Sequence, residues 1–122
     1  QRLTRTLCPH CKERVPLNEE LWDTMITPLR AKSSPKTVCQ PVGCLECRQT
    51  GFYGRVGIYE MMVVTSAIKR LITAECDINQ LRRQAISEGM RPLRLSGAQK
   101  VMKGLTTIEE VLKVAPPESI EI

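Results

Sequence analysis

The sequence contains two Cys-X-X-Cys pairs, Cys8–Cys11 and Cys44–Cys47, with 32 residues between them. Each pair places two sulfur atoms on one tight turn, and two such turns complete the tetrahedral set of thiolates that zinc prefers. Pro9 and Gly43 favour turns at both pairs. Because four protein ligands leave no open coordination position, the spacing predicts one structural zinc ion bound by Cys8, Cys11, Cys44 and Cys47.

Three other potential ligands lie outside these pairs. His10 or Cys39 can in principle replace one thiolate, but neither gives a more regular ligand set than two Cys-X-X-Cys turns. We expect Cys39 to be a small buried residue in a strand and Cys76 to lie at a buried helix end. A redox role for Cys8 and Cys11 would need a βαβ unit with the pair at a helix N-terminus, whereas a helix is expected to end there.

The composition fits one compact domain, or two small lobes, of a globular protein. The chain has 122 residues and only 3% aromatic residues, so a metal crosslink would substitute for missing apolar bulk in the front part. The formal charge of +5 falls to about +3 when four thiolates bind one divalent zinc ion, so charge alone indicates neither nucleic acid nor lipid. The sequence shows no signal peptide and no apolar run long enough for a membrane span. We therefore expect a soluble chain in a reducing compartment.

The first part of the chain is predicted to alternate short elements with the two cysteine pairs. Residues Gln1–Leu7 are compatible with the end of a helix that began upstream, and the absence of an initial Met suggests a piece of a longer protein. Asn18 is a predicted N-cap for a helix that ends at Pro28. A polar loop at 30–36 and a short strand at Thr37–Val42 follow.

The second part is predicted to be mainly helical. Glycines permit turns between Thr50 and Gly57, and Val56–Val64 is predicted to be extended. Helices end at Gly89 and Gly104 and begin at four capping residues, Ser66, Asp77, Ser96 and Thr107. The pattern predicts a mostly helical α+β fold with a small tetracysteine zinc-knuckle lobe at 1–57. A helical lobe of about four short helices follows at 58–122, and Pro116–Pro117 terminates it.

No motif for catalysis is present in the sequence. Nothing matches a P-loop, because the glycines at 51, 54 and 57 have the wrong spacing. Arg55 can contact an anion or a neighbouring subunit, although a surface role is the commoner one. Basic residues on two predicted helices suggest a solvated face first, partner docking second and nucleic-acid binding third; they are Lys69, Arg70, Arg82 and Arg83.

Several segments in a fixed order carry a resemblance to a known family: CPHC at 8–11, GCLEC at 43–47, TGFYGRVGIYE at 50–60, AIKRLI at 67–72, EGM at 88–90 and KGLTTIEEVLKV at 103–114. Nearly the whole chain resembles the C-terminal end of type II secretion and type IV pilus assembly ATPases. The resemblance implies a zinc-binding subdomain with Cys8, Cys11, Cys44 and Cys47 as ligands, in agreement with the spacing.

The same resemblance implies which larger protein the chain belongs to, what that protein binds and where it is located. The parent protein would be a hexameric motor that uses ATP and Mg²⁺, with its catalytic motifs upstream of Gln1, so the 122 residues themselves would not be catalytic. Its partners would be the ATPase core, neighbouring subunits and an inner-membrane platform protein. The protein would be cytoplasmic and peripheral to the bacterial inner membrane. It would have no transmembrane segment and would not bind nucleic acid.

Two other interpretations remain open. The first is a free-standing zinc-ribbon module that binds nucleic acid through its basic residues. The second is a chaperone-type zinc domain, since GCLECRQTG partly follows a CxxCxGxG pattern, although a single imperfect copy is present. Salt-dependent nucleic-acid binding would distinguish the first interpretation from a motor component.

Overall fold

The computed structural model describes residues 1–27 and 34–116, and the α+β fold predicted from the sequence is confirmed. Within these described residues, four helices follow the tetracysteine region, as predicted. The elements in chain order are β1 (Arg2–Leu7), β2 (Glu13–Pro16), α1 (Glu19–Ile26), β3 (Thr37–Gln40), β4 (Phe52–Ile58), α2 (Ser66–Leu71), α3 (Ile78–Ser87), α4 (Leu93–Met102) and α5 (Ile108–Val114).

The strands form two antiparallel pairs, β1 with β4 and β2 with β3. The prediction of a helix at Gln1–Leu7 is wrong, because Arg2–Leu7 pairs with Phe52–Ile58, some fifty residues away in sequence. The prediction of an extended segment at Val56–Val64 is right only at its start, since β4 ends at Ile58. The strand predicted at Thr37–Val42 is confirmed as far as Gln40.

Most helix starts are capped by the predicted local side chains. Asn18, Asp77 and Thr107 accept hydrogen bonds from Leu21 N, Asn79 N and Glu110 N respectively. Such caps satisfy amide groups that have no partner inside the helix. For α2 the cap is Thr65 and not the predicted Ser66, which is the first helical residue.

Helix α4 begins earlier than predicted. Ser96 lies inside the helix and does not cap it, because α4 starts at Leu93 after Pro92. The amide of Leu93 donates to the Glu60 carboxylate at 3.0 Å. A side chain 33 residues upstream therefore replaces the local cap. The helix ends as predicted, before Gly104, whose φ of +75° suits glycine.

One hydrophobic core joins helices from both halves of the chain. Its buried side chains come from α1, α4 and α5: Trp22, Met25, Ala98, Val101, Ile108 and Val111. Arg94 in α4 is also buried, and its Nη1 donates to the carbonyl oxygens of Thr24, Met25 and Thr27 at the end of α1. Burial lowers the pKa of Arg94 from its ordinary value. The division into 1–57 and 58–122 stays a prediction.

Some predictions concern parts of the chain outside the described ranges, namely Pro28, residues 30–33 of the polar loop and Pro117. None of the helices in residues 1–27 and 34–116 is both long and apolar enough to cross a bilayer.

Candidate metal centre

The four cysteine sulfurs of the two Cys-X-X-Cys pairs converge on one point. All four lie within 4.8 Å of one another. The Sγ–Sγ distances are 3.8 Å for Cys8–Cys44, 3.9 Å for Cys11–Cys47 and 3.7 Å for Cys44–Cys47. A regular tetrahedron of Zn–S bonds of about 2.3 Å has edges of about 3.8 Å. Three of the six sulfur–sulfur distances therefore match the edges of such a tetrahedron, and the donor set is compatible with zinc.

The fold brings the pairs together at one end of the β1–β4 ladder. Cys8 directly follows β1, and its amide donates to Gly51 O at 2.9 Å, which continues the ladder just before β4. The second pair occupies a turn in which Gln49 N donates to Cys44 O at 2.8 Å. Thus the end of β1 and the turn that leads into β4 each contribute a pair of sulfurs.

The second turn needs unusual backbone conformations. Arg48 and Gln49 both have left-handed φ angles, 56° and 63°, which side-chain-bearing residues adopt only rarely. Gly51 has φ +81°, and an added Cβ at this position would overlap Pro41. Because such conformations cost free energy, their clustering next to Cys47 indicates that the turn is shaped to aim the thiols.

Backbone amides donate to two of the sulfur atoms. Cys47 Sγ accepts from Cys44 N at 3.3 Å and from Gly51 N at 3.2 Å, and Cys11 Sγ accepts from Gly43 N at 3.3 Å. N–H donors of this kind stabilise the thiolate, which is the form that binds metal. The backbone around the second pair therefore favours the charged ligands that zinc requires.

The pKa values of two thiols follow from these contacts. Burial raises the pKa of Cys47, but hydrogen bonds from Cys44 N and Gly51 N, with those from the Cys44 and Cys11 thiols, outweigh it and lower the pKa to about 6. For Cys44, a backbone hydrogen bond from Cys47 lowers the pKa. Burial and the thiol hydrogen bonds to Cys47 and Cys8 outweigh that contact and raise the pKa to about 11. These contacts thus favour the charged form of Cys47 and the neutral form of Cys44.

The four cysteines differ in their exposure to solvent. Cys8 and Cys47 are buried, whereas Cys11 and Cys44 are half-buried. Leu45, between the ligands of the second pair, is 90% exposed. Because four cysteines would fill a tetrahedral ion, the arrangement can hold structure but leaves no position for activating water or substrate.

The other potential ligands do not join this group. His10 is exposed. Cys39 is buried outside the sulfur cluster, and its Sγ would lie 3.0 Å from a Cβ added at Gly104. Cys76 lies in the connection between α2 and α3. Within the two described ranges, the four cysteines are the sole cluster of three or more possible metal ligands.

An ion pair next to the centre was not predicted from the sequence. Arg5 in β1 contacts Glu110 in α5 through two hydrogen bonds, of 3.1 Å from Nε and 2.5 Å from Nη2, and lies over the Phe52 ring at 4.0 Å. The hydrogen bond from Arg5 is the main reason that the pKa of Glu110 is lowered. The contact spans 105 residues, so no local pattern could have indicated it.

The basic residues singled out in the sequence are spread over different surroundings. Arg55 is exposed in β4 and lies opposite Arg5 in the strand register. Arg82 pairs with Glu60 at 3.1 Å, whereas Lys69 and Arg70 are exposed on α2. Arg82 therefore helps to hold the segment after β4.

Comparison with known proteins identifies the family. Residues 1–113 match the family described as Type II/IV secretion system protein. The chain belongs to this family. It is 43% identical over 116 residues to the "Type IV pilus assembly ATPase TfpB" of Acinetobacter baylyi, covering 95% of this chain and 20% of that protein.

Two relatives from Pseudomonas aeruginosa are named for type IV pilus assembly and for type II secretion respectively. The "Type IV pilus assembly ATPase PilB" is 41% identical over 120 residues, covering 93% of this chain and 20% of the relative. The "Type II secretion system protein E" is 39% identical over 119 residues, covering 97% and 23%. The chain thus spans about a fifth of the length of the relatives that it matches.

Proposed function

We propose that this chain is the C-terminal, zinc-binding region of an ATPase that powers type II secretion or type IV pilus assembly. The observation that carries the zinc assignment is the convergence of four sulfurs within 4.8 Å of one another, with three of the six distances at 3.7–3.9 Å. Membership of the secretion family and the names of the relatives support the larger assignment.

In this proposal the zinc ion is structural. It connects the turn after β1 to the turn before β4, and binding of a structural zinc ion contributes about 10 kcal/mol or more to folding. Cys8, Cys11, Cys44 and Cys47 hold it as thiolates, and the backbone amides of Gly43, Cys44 and Gly51 help to offset their charge. The ion supplies a rigid crosslink and no reaction step.

The proposal places catalysis elsewhere in the parent protein. The sequence has no P-loop motif, so ATP and Mg²⁺ would bind to the part of the parent outside these residues. The parent would be a hexamer at the cytoplasmic face of the inner membrane. This region would contact the ATPase core, neighbouring subunits and the membrane platform protein.

Zinc content of purified variants tests the ligand assignment. We expect about one zinc per chain in the wild type, measured by elemental analysis with native mass spectrometry. Cys44→Ser should lose the ion, because three thiolates and a hydroxyl bind zinc far more weakly. Cys76→Ser is the matched control: Cys76 is also half-buried but lies outside the sulfur cluster.

Full zinc content in Cys44→Ser would refute the ligand assignment, and equal loss in both variants would point to general unfolding. The motor assignment is tested separately, with the same two substitutions in the full-length parent. Cys44→Ser should reduce hexamer formation or ATPase rate, and Cys76→Ser should not. A full-length Cys44→Ser protein that lacks zinc yet hydrolyses ATP and assembles normally would remove the proposed supporting role.

Nucleic-acid binding by the isolated chain would favour the zinc-ribbon alternative. Filter binding with single- and double-stranded DNA across a salt series would reveal it as affinity that falls steeply with salt. We expect no such binding, since Arg82 is engaged by Glu60 and the sequence has few aromatic residues for stacking.

A further inference from the structure

The turn of the first cysteine pair contacts the helical part of the chain through Lys12. This lysine directly follows Cys11, and its backbone amide donates to Cys8 O at 3.1 Å, which closes the turn. The side chain leaves the turn, and its Nζ donates to Gly104 O at 2.9 Å, a contact that spans 92 residues. Lys12 is half-buried, so this contact is screened less than one on the open surface.

Gly104 is the residue that follows the end of α4. Gly104 N donates to Val101 O and Leu105 N donates to Lys100 O, both at 3.0 Å, which is the hydrogen-bond pattern of a Schellman cap. The carbonyl groups at the C-terminus of a helix carry partial negative charge, so this end favours a nearby cation. The ammonium group of Lys12 therefore supports the C-terminal cap of α4.

The residues Gly104–Thr107 connect α4 to α5, and we call them the α4–α5 corner. Two more hydrogen bonds join this corner to β1. Leu7 N donates to Leu105 O at 2.8 Å, and the Thr106 hydroxyl donates to Arg5 O at 2.8 Å. The corner thus contacts the strand that leads into the first cysteine pair as well as the residue that follows the pair.

The space beside Gly104 is occupied by a second strand pair. A Cβ added at Gly104 would lie 3.0 Å from Cys39 Sγ and 3.7 Å from Lys12 Nζ. Cys39 is a buried residue of β3. Because Cys39 lies against the α4–α5 corner, the corner has little room to follow a movement of the cysteine turn. Such a movement would separate Lys12 from Gly104.

We propose that Lys12 is a positioning residue that couples metal binding to the end of α4. A zinc ion bound by Cys8 and Cys11 would fix the turn between them and keep the Lys12 side chain on Gly104. Without the ion the turn would loosen, and the α4 cap would lose this contact. The inference rests on the proposed zinc binding and adds a route by which the metal affects residues outside its own site.

Linkage requires this effect to act in both directions. If zinc strengthens the contact between Lys12 and Gly104, then removal of the contact weakens zinc binding by the same factor. A hydrogen bond from a charged group corresponds to about tenfold or more in an equilibrium constant. Part of the contact would persist in the metal-free state. We therefore expect Lys12→Met to weaken zinc binding about threefold to tenfold.

Competition with a chromogenic zinc chelator measures this coupling in the 122-residue chain. Lys12→Met removes the ammonium group and keeps an unbranched side chain. Lys103→Met is the matched control for charge, since Lys103 is exposed at the same end of α4. Ile108→Val is the control for stability, because it removes one methyl group from the buried core. Zinc affinity in both controls should stay within about twofold of the wild type.

Amide exchange measured by NMR gives a second readout at the α4–α5 corner. Chelation of zinc from the wild type should speed exchange at Gly104 and Leu105 about threefold or more, because Lys12 no longer supports the cap. In Lys12→Met these amides should already exchange faster with zinc bound, and chelation should change them much less. The amide of Leu81 in α3, which donates to Asp77 O, serves as an internal control.

Each other outcome overturns the proposed coupling. Unchanged zinc affinity in Lys12→Met would show that the contact is independent of the metal. Equal weakening in Lys12→Met and Ile108→Val, or equal acceleration at Leu105 and Leu81 after chelation, would show that zinc stabilises the chain as a whole. Equal weakening in Lys103→Met would assign the effect to net charge. Zinc content of the wild type, measured on the same samples, tests the ligand assignment separately, so a bound ion without coupling overturns this inference alone.

Discussion

Gly97 lies inside α4 where the helix meets Val111 of α5. This contact predicts that the effect of Gly97→Ala on the free energy of unfolding changes sign with the side chain at position 111. A Cβ added at Gly97 would lie 2.5 Å from Val111 Cγ1 and 2.9 Å from Cγ2. Such distances are well inside van der Waals contact, so Gly97→Ala forces side chains or helices apart. Overpacking of this kind costs about 1–3 kcal/mol.

Helix propensity acts in the opposite direction. Replacing glycine by alanine inside a helix gains about 1 kcal/mol. We therefore expect Gly97→Ala alone to lower the free energy of unfolding, by up to about 2 kcal/mol. In a Val111→Ala background the two methyl groups that cause the overlap are gone, and the next nearest atom is Cβ of residue 111, at 3.3 Å. There Gly97→Ala should raise the free energy of unfolding, by up to about 1 kcal/mol.

Urea unfolding of the zinc-loaded protein measures all four members of this double-mutant cycle. Trp22 is the only tryptophan in the sequence and lies in the same core, 2% exposed, so its emission reports directly on this packing. The expected coupling energy is about 2 kcal/mol. A stabilising effect of Gly97→Ala in the wild-type background, or a coupling energy within about 0.5 kcal/mol of zero, would refute the α4–α5 contact.

Three further predictions concern charge, capping and the metal. Glu110→Gln should cost about 1 kcal/mol near pH 7. Because Arg5 lowers the pKa of Glu110, this difference from wild type should be complete above its ordinary pKa of about 4.3 and vanish as the pH falls further. A pH-independent difference in urea unfolding would contradict the pair. Glu60→Ala removes the acceptor for the first amide of α4 and should cost about 1 kcal/mol by thermal unfolding, against less than about 0.5 kcal/mol for the partly exposed Arg82→Ala; equal costs would exclude the capping role. Chelation of zinc should speed amide exchange at 43–51 by NMR while Trp22 emission stays native-like, since none of the four cysteines belongs to the core around Trp22. Loss of both signals together would show that the metal holds the entire fold.

The candidate metal centre could be predicted from the sequence because its geometry is set locally. Each Cys-X-X-Cys turn fixes two sulfurs through three or four residues of backbone, and two turns need only to be brought together. The sequence could not predict how they meet. That depends on β1 and β4, which place Cys8 next to Gly51 across the ladder.

The helix starts also include some that local sequence could predict and one that it could not. Asn18, Asp77 and Thr107 cap the helices that follow them, so sequence spacing alone located those starts. For α4 the capping group comes from Glu60, and the prediction that Ser96 caps this helix was wrong. A rule based on local spacing fails wherever a distant carboxylate takes the place of the local cap.

Strand β1 was mistaken for a helix because its sequence, RLTRTL, has residues that suit either state. What decides the state is the partner strand, and in this chain the partner lies beyond the whole tetracysteine region. Strand preference reflects packing against neighbours more than an intrinsic backbone tendency. A short segment without its partner therefore carries too little information to be assigned.

The metal centre supports one end of the β1–β4 ladder. Isolated two-stranded pairs are marginal in water. Cys8 directly follows β1, and Cys47 lies in the turn that leads into β4, so a bound ion would fix their separation and hold the last hydrogen bonds of the ladder in register. Loss of zinc should then weaken the exchange protection of the Cys8 amide, which donates to Gly51 O. Unchanged protection of this amide after chelation would show that the ladder keeps its register without the metal.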